Sequence, residues 1–416
     1  MTKLKLHWQI LIAMTVGVVC GAFFQANVTN PNDNSLYTFI ISIGTIFVRL
    51  LKMIIVPLIF TSIITGVAGI RDGNRLGRLG IKTLAYYATT SLFAIVIGLA
   101  LTNFLQPGIG ADIGGNEGYD ASHLNTPGSP AEILIRMVPL NPFKAAASGD
   151  MLGIIFFAIF LGISISRLQA NHQSTLKNFF EAMFGAIMKM TEVIIMLAPL
   201  GVFGLITRAV ANSGLEIFAA VGKYMMTIAL GLSIHILIVL PLLFFILSKI
   251  NPLKHYKAMA SAMATAFSTS SSSATLPVTM RCVRENVGVS NETSSFVLPM
   301  GATVNMDGTA LYECAGVIFI SQVLGIELDM GQQFTVVLTA LLASIGAAGI
   351  PSAGLVMIFI VTQAVGFKDA DVALIIGTML AVDRPLDMFR TMVNITSDSI
   401  GAAVIAKSEG ENILQD

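Results

Sequence analysis

Residues 370–404 read as a membrane-embedded helix set among stretches such as 372-VALIIGTMLAV-382 and 399-SIGAAVIA-406, yet one face of it is polar. Asp383, Asp387, Arg390, Thr391, Asn394 and Asp398 fall within an arc of about 100° on an α-helix, where successive residues advance by about 100°. A charged side chain at mid-membrane costs about 2.5–3.5 kcal/mol even on the gentler insertion scale. The stripe must therefore look onto protein, water or a ligand. A chain that carries it is a candidate transporter or channel rather than a membrane anchor.

The rest of the chain agrees. Of its 416 residues 55% are hydrophobic and 12% charged, where soluble domains carry about 25% charged residues. The formal net charge is zero, so no basic surface argues for nucleic-acid binding. Cys20, Cys282 and Cys314 lack metal-ligand spacing and cannot all pair; inert buried thiols fit them better than a disulfide framework. The segment 8-WQILIAMTVGVVCGAFF-24 follows Lys3 and Lys5 in the manner of a signal peptide. No A-x-A-like cleavage site follows it, and it reads as a retained first span.

Crossing the hydrocarbon takes about 20 apolar residues. Candidate spans lie near 8–26, 37–70, 79–106, 151–168, 178–210, 217–249, 293–322 and 370–404. Two further apolar regions are interrupted, 254–288 by a Ser/Thr cluster ending at Pro277 and 331–366 by 344-SIGAAGIPSAG-354. Interrupted runs suggest re-entrant hairpins, whose irregular tips survive at membrane depth only against protein or a cavity. Arg71, Arg75, Arg78, Lys82, Lys249, Lys254, Lys257, Arg281, Arg284 and Lys407 fit one side with Lys3 and Lys5, which the positive-inside rule makes the cytoplasm. The loop 107–129 carries Asp112, Glu117 and Asp120 without Lys or Arg and fits the outside. Eight spans with both termini cytoplasmic result, and the two hairpins open from opposite sides. Each is followed by a polar helix, a pairing of discontinuous segments that points to a transporter's midplane site.

Three segments carry the chemistry. In 301-GATVNMDGTALYE-313 a Gly, an Asn and an Asp favour local unwinding. Freed carbonyls together with Asn305 and Asp307 offer the oxygen ligands a hard cation such as Na⁺ takes; helix–helix glue is the alternative for both side chains. Glu313 is either a structural partner or a proton carrier. Arg390 presents a planar fork suited to a carboxylate, and Asp387, three residues earlier on the same face, suits an ammonium group. The two side chains also have the option of neutralising each other. Pro385 favours a kink near Asp383, and Arg384, at the edge of the stripe, reads as an internal ion-pair partner. In 268-STSSSSATLP-277 the hydroxyls and amides of a broken small-residue helix suit an anionic group at a half-helix N-terminus. His235 sits alone deep in an apolar run with no nucleophile motif, so an intramembrane hydrolase is not supported and the chain is not read as an enzyme.

With these residues assembled, the chain resembles the dicarboxylate/amino acid:cation symporter family over nearly its whole length. The resemblance is strongest in 268-STSSSSATLPVTM-280, 301-GATVNMDGTALYE-313, 344-SIGAAGIPSAG-354 and 387-DMFRTMVNITSD-398. It implies an all-α polytopic membrane protein of eight transmembrane helices and two re-entrant hairpins in inverted repeats, a homotrimer working by an elevator mechanism. Residues 1–76 and 108–210 would form the scaffold, 77–107 and 211–405 the moving transport unit, and 406–416 a cytoplasmic tail. By motif matching, Arg390 would bind the substrate's side-chain carboxylate and Asp387 its amino group. Thr309, Thr391, Asn394, Ser271 and Ser272 would complete the site, with Ile350 and Gly354 as its lid. Three sodium sets carry over: Gly301, Asn305, Asn394 and Asp398; Thr303 with Ser344, Ile345 and Ala347; and Tyr87, Thr90 and Ser91 with Asn305 and Asp307.

Family members for small neutral amino acids lack an arginine at the position of Arg390, and C4-dicarboxylate carriers lack a carboxylate at that of Asp387. The resemblance therefore implies uptake of glutamate or aspartate across the plasma (inner) membrane, driven by Na⁺. Glu313 resembles the glutamate of proton-coupled members and adds H⁺. Archaeal relatives carry an arginine where this chain has Ser270, and animal relatives one where it has Met388. Neither is present, Arg384 being the residue able to stand in, so K⁺ counter-transport is left open. A C4-dicarboxylate or neutral amino acid carrier of the same family and an anion channel are the alternatives. The lack of a long external insertion points to a bacterial source.

Overall fold

A backbone in hydrocarbon must satisfy its own N–H and C=O groups, and long apolar runs accordingly become helices in the computed structural model. It describes residues 6–28, 34–68, 74–111, 135, 138–148, 150–215, 217–346, 353–367 and 369–414, and among them there is no strand. The helices are α1 Leu6–Asn27, α2 Ser35–Ala68, α3 Asn74–Leu105, α4 Pro142–Ser148, α5 Met151–Ser166, α6 Ala170–Met196 and α7 Ala198–Ser213. They continue as α8 Ile217–Ile234, a π-helical turn His235–Val239, and α9 Leu240–Ser248. The remainder are α10 Pro252–Thr269, α11 Ser272–Cys282 with a second π-helical turn Val283–Val287, α12 Asn291–Val304, α13 Asp307–Val323, α14 Met330–Gly346, α15 Ala353–Val365 and α16 Asp369–Ser408.

Trp8–Asn27, Ser35–Ala68, Arg78–Leu105 and Phe218–Ser248 are each long and apolar enough to cross a membrane. The expected span 178–210 is instead two helices bent by 51° at Leu197, and counts as a fifth crossing if taken as one. Pro199 explains the break, since its ring suits the first turn of a new helix and not the interior of an old one. The expected span 293–322 is divided at Asn305–Met306. Helix α16 runs for 40 residues and continues unbroken past Pro385. With several apolar helices, the chain is a multi-pass membrane protein.

Close packing comes from small residues. A Cβ added to Gly21 on α1 would stand 2.8 Å from the Thr207 carbonyl of α7, and one on Gly98 of α3 2.8 Å from the Leu311 carbonyl of α13. Backbones approach this closely in membranes where small side chains allow it. The outer face of α1 keeps Trp8, Ile12, Val16, Val19 and Phe23 exposed, a surface suited to lipid. At the centre stands α13, in which every residue but Gln322 is buried. It packs against α3, α14, α15 and α16.

The first interrupted region is an antiparallel pair. Ser261 Oγ lies 3.1 Å from Cys282 Sγ, and Asn286 donates to the Ala258 carbonyl at 2.9 Å. Its turn has Ser270 in the left-handed region (φ 53°) and Ser271 extended, capping α11 through Ala274 N at 3.1 Å. Sequence places the break correctly because Ser caps helices better than it continues them. The second pair, α14 and α15, packs together, and its tip lies outside the described residues. Asn103 near the end of α3 donates to Gln333 in α14 at 3.1 Å. At the other end of α3, Arg78 and Lys82 meet the tail that holds the first pair's base. The two pairs thus enter from opposite ends of α3. Lys3, Lys5, Arg71, Asp112, Glu117 and Asp120 lie outside the described residues.

That tail ties three helix ends together. Glu409 accepts from Arg78 Nη2 and Lys82 Nζ, each at 2.6 Å. Glu411 accepts from Ser290 N at 2.7 Å and Thr293 Oγ1 at 2.6 Å, and Leu414 N donates to the Val287 carbonyl at 2.8 Å. The hydrogen bonds from Arg78, then Lys82, hold the Glu409 carboxyl down at about 2, from an ordinary 4.5. A depressed carboxylate adds stability that is present above its unfolded value and fades as pH falls through the folded one. Glu409→Gln should therefore lower the melting temperature by about 2 °C at pH 7, a small shift because Arg78 and in part Lys82 remain in water, where an ion pair contributes little. The gap between the two proteins should narrow from pH 4.5 downward. A pH-independent gap in a scanning fluorimetry series would show that charge is not its cause.

Candidate functional site

The polar stripe of α16 meets the broken helix α12–α13. Asn305 (φ −103°, ψ 91°) is extended and Met306 (φ −122°, ψ 62°) is not helical either, so α13 begins afresh at Asp307 with free N–H groups. Asn394 Oδ1 takes one of them, accepting from Gly308 N at 2.8 Å, and its Nδ2 donates to Thr309 Oγ1 at 3.3 Å. Gly308 is needed there, since a Cβ would stand 2.8 Å from the Arg390 carbonyl.

Arg390 is buried, its side chain 2% exposed. Its Nη2 donates to Asp387, its Nη1 lies 3.9 Å from Asp383 Oδ1, and its guanidinium carbon stands 4.6 Å from the centre of the Tyr312 ring. Tyr312 donates to Asp383 Oδ1 at 3.0 Å, so Asp383 joins the arginine's surroundings. Among the described residues Nη1, a buried donor, has no hydrogen-bond partner. Gly354 at the start of α15 lies against the guanidinium, where a Cβ would collide with Nη1. Arg384 Nη1 is 3.7 Å from Asp387 Oδ2, matching its expected role as an internal ion-pair partner. Thr391 Oγ1 donates to the Asp387 carbonyl at 2.8 Å. Ser271 and Ser272 are buried at the turn between α10 and α11. Ile350 lies outside the described residues.

A second polar cluster lies below the first on α3, α12, α13 and α16. Asp307 Oδ1 accepts from Ser91 Oγ at 2.7 Å and Thr90 Oγ1 at 3.2 Å, and Thr90 also reaches Asn305 Oδ1 at 3.4 Å. Asn305 Nδ2 donates to Asp398 Oδ1 at 2.9 Å and to Ser397 Oγ at 3.0 Å. Tyr87 donates to the Val297 carbonyl at 2.9 Å. A Cβ at Gly301 would stand 2.6 Å from the Tyr87 hydroxyl and press on Asp398 Oδ1. Gly301, Asn305 and Asp398 therefore converge, as do Thr90, Ser91, Asn305 and Asp307. Asn394 bonds instead to Gly308 and Thr309 of α13 and does not join Gly301, Asn305 and Asp398. Thr303 Oγ1 and Ser344 Oγ turn back to their own helices, at 3.1 Å from the Met300 carbonyl and 2.8 Å from the Leu341 carbonyl. Ile345 is half-buried, and Ala347 lies outside the described residues. The donors are hydroxyl, amide and carboxylate oxygens; among the described residues no group of three or more His, Cys, Asp or Glu gathers. Oxygen sets of this kind suit a hard monovalent cation better than a transition metal.

Glu313 is fully buried nearly two turns into α13 from this junction, and among the described residues neither carboxyl oxygen has a hydrogen-bond partner. His235 Nε2 lies 3.1 Å from Asp307 Oδ2. Sequence reasoning placed this histidine in an apolar run and found it no partner, because Asp307 stands 72 residues away on another helix.

The sodium:dicarboxylate symporter family model matches residues 6–408. The chain belongs to this family. It is 36% identical to excitatory amino acid transporter 3 of Mus musculus, covering 99% of this chain and 87% of that protein. Identity to an excitatory amino acid transporter of Caenorhabditis elegans is 36%, covering 95% and 87% of the two chains. For excitatory amino acid transporter 2 of Homo sapiens it is 35%, covering 98% and 81%. In this symporter the two polar clusters therefore lie in a protein of a transport family, where sodium is a substrate to be carried. The sequence features that marked a non-enzyme agree with that family.

Proposed function

We propose that this symporter takes up glutamate or aspartate by coupling it to inward sodium, with a proton carried on Glu313. The observation that carries the proposal is the buried, adjacent Arg390 and Asp387, beside Gly354 and one helix face from the cation cluster. Opposite charges at that spacing suit the two ends of an acidic amino acid: the fork of Arg390 for the side-chain carboxylate, Asp387 for the ammonium group. Their mutual ion pair satisfies both charges, and a substrate carrying both charges could replace it. Relatives named as excitatory amino acid transporters support the same substrate class. Thr309, Thr391, Asn394, Ser271, Ser272, Ile350 and Gly354 would complete the substrate site. The sodium sets would be those given by the motifs, with Ala347 and Ile345 closing the one that includes Thr303 and Ser344. Glu313, buried with no hydrogen-bond partner among the described residues, fits a carboxyl that is stable there only when neutral or next to a cation.

The architecture we propose has eight spans and two re-entrant hairpins, α10–α11 and α14–α15, with both termini cytoplasmic in a plasma membrane. Residues 77–107 and 211–405 would move as an elevator unit against a trimeric scaffold of 1–76 and 108–210. Packing of α1 on α7 and of α2 on α5, α6 and α7 supports that division, as does the gathering of α3 and α16 about α13. The entry of the two pairs from opposite ends of α3 supports the inverted repeat.

Uptake into proteoliposomes under imposed Na⁺, H⁺ and K⁺ gradients is the test. Aspartate and glutamate should accumulate against their gradient only with inward Na⁺, and Glu313→Gln should abolish the dependence on external pH while leaving substrate binding within about threefold of wild type, since removing one proton step need not alter ground-state contacts. Equal accumulation without Na⁺ would remove the sodium assignment. Substrate-independent current with no accumulation would favour an anion channel.

A further inference from the structure

A buried carboxylate that turns one oxygen toward a cation needs a partner for the other. For Asp307 that second oxygen is occupied. His235 Nε2 stands 3.1 Å from Oδ2, both side chains being wholly buried, while Oδ1 faces Ser91 and Thr90. A carboxylate accepts and does not donate, so Nε2 carries the hydrogen of this bond. Nδ1 has no hydrogen-bond partner among the described residues.

The backbone that aims the ring is unusual. His235 opens the π-helical turn His235–Val239, in which Leu240 N donates to the His235 carbonyl five residues back. The extra residue frees a carbonyl and offsets the faces of α8 and α9 by about 100°. Tyr256 of α10 donates its hydroxyl to the Ile236 carbonyl and so fixes the turn. A continuous line of contacts thus runs from the base of the first hairpin, through the π turn and the imidazole, to one oxygen of Asp307.

We propose that His235 is a positioning residue for the monovalent-cation site at Asp307, locking the carboxylate so that Oδ1 and the Thr90 and Ser91 hydroxyls face the ion together. The inference rests on the sodium-coupled reading above. Each hydroxyl that donates to Oδ1 keeps lone pairs to turn on a cation, so the arrangement is a preformed set of oxygens. Without the imidazole, Oδ2 would seek Thr90 or Ser91 as well, and the set would close on itself.

The experiment compares wild type with His235→Asn, His235→Leu and His235→Gln. The Asn amide falls short of Oδ2, Leu has no donor, and the Gln amide reaches the place of Nε2. Purified proteins are titrated with NaCl in a choline background, without amino acid, and the sodium-induced rise in melting temperature is read. Sodium-dependent aspartate uptake is measured in parallel. Asn and Leu should raise the sodium midpoint at least about 10-fold, the loss of one oriented ligand, with the aspartate KM at saturating sodium within about twofold. Gln should return the midpoint to within about threefold of wild type. Tyr256→Phe, which releases the π turn, should shift the midpoint in the same direction by a smaller factor. Unchanged midpoints in Asn and Leu overturn the inference, and so does a failure of both to fold, which would make the imidazole a purely structural prop. If wild type itself shows no sodium-dependent stabilisation or uptake, the sodium reading fails first, and the two failures are thereby told apart.

Discussion

Arg390→Ala should lower kcat/KM for aspartate and glutamate at least about 100-fold, the largest effect expected of any single change in the substrate cluster. Truncating one partner of a buried, hydrogen-bonded charge pair typically costs about 2–5 kcal/mol, much of it from the charge left behind. Here two carboxylates are left behind: Asp387, which accepts from Nη2, and Asp383, 3.9 Å from Nη1. The arginine also covers the Tyr312 ring and fills the space that Gly354 leaves open, so its loss opens a gap as well as removing a charge. Arg390→Lys separates the two contributions. It keeps a positive charge for Asp387 but lacks the planar fork that grips a carboxylate at two points. An intermediate loss of about 10-fold is expected for Lys, with the fold retained by gel filtration and melting temperature. Aspartate uptake with an unchanged KM in Arg390→Lys would show that the guanidinium does not grip the substrate carboxylate.

How much of this was legible in the sequence depends on whether one helix or two carried the information. Positions 383, 387, 390, 394 and 398 share a face by helical arithmetic alone, and the structure keeps that face turned inward. The Ser270–Ser271 break was legible because a serine cluster inside a small-residue helix has few other uses. The division of the seventh apolar segment was legible as a region, while its confinement to Asn305 and Met306 was not, since Gly301 and Gly308 were equally permissive. Each of those glycines instead serves close approach, to Asp398 and to Arg390. Contacts between helices were out of reach. Tyr312 to Asp383 spans 71 residues and His235 to Asp307 spans 72, and no periodicity within one helix encodes either. The π turn at His235 left no signal, since 235-HILIV-239 reads as an ordinary apolar helix. Pro199, by contrast, was in plain sight, and the bend at Leu197 is what a proline after a long helix predicts.

Gly301→Ala should raise the sodium midpoint for uptake by about 10-fold or more, against what helix propensity alone would favour. Alanine is better than glycine in a helix interior by about 1 kcal/mol, and Gly301 lies within Asn291–Val304. A substitution governed by propensity would therefore stabilise the protein. The site decides otherwise, because the new methyl would stand 2.6 Å from the Tyr87 hydroxyl and against Asp398 Oδ1. Tyr87 is held by its bond to the Val297 carbonyl at 2.9 Å, so the carboxylate is the group free to give way. Moving it breaks the 2.9 Å bond from Asn305 Nδ2, and Asn305 is the residue that joins both cation sets through Thr90. One methyl thus disturbs Asp398 directly and Asp307 at second hand, while Arg390 and Asp387, more than two turns up the same helix, keep their places. Aspartate affinity at saturating sodium should accordingly stay within about twofold of wild type, the pattern of a change confined to the ion site. A melting temperature raised by Gly301→Ala with the sodium midpoint unmoved would mean that propensity had won and that Asp398 does not hold the ion.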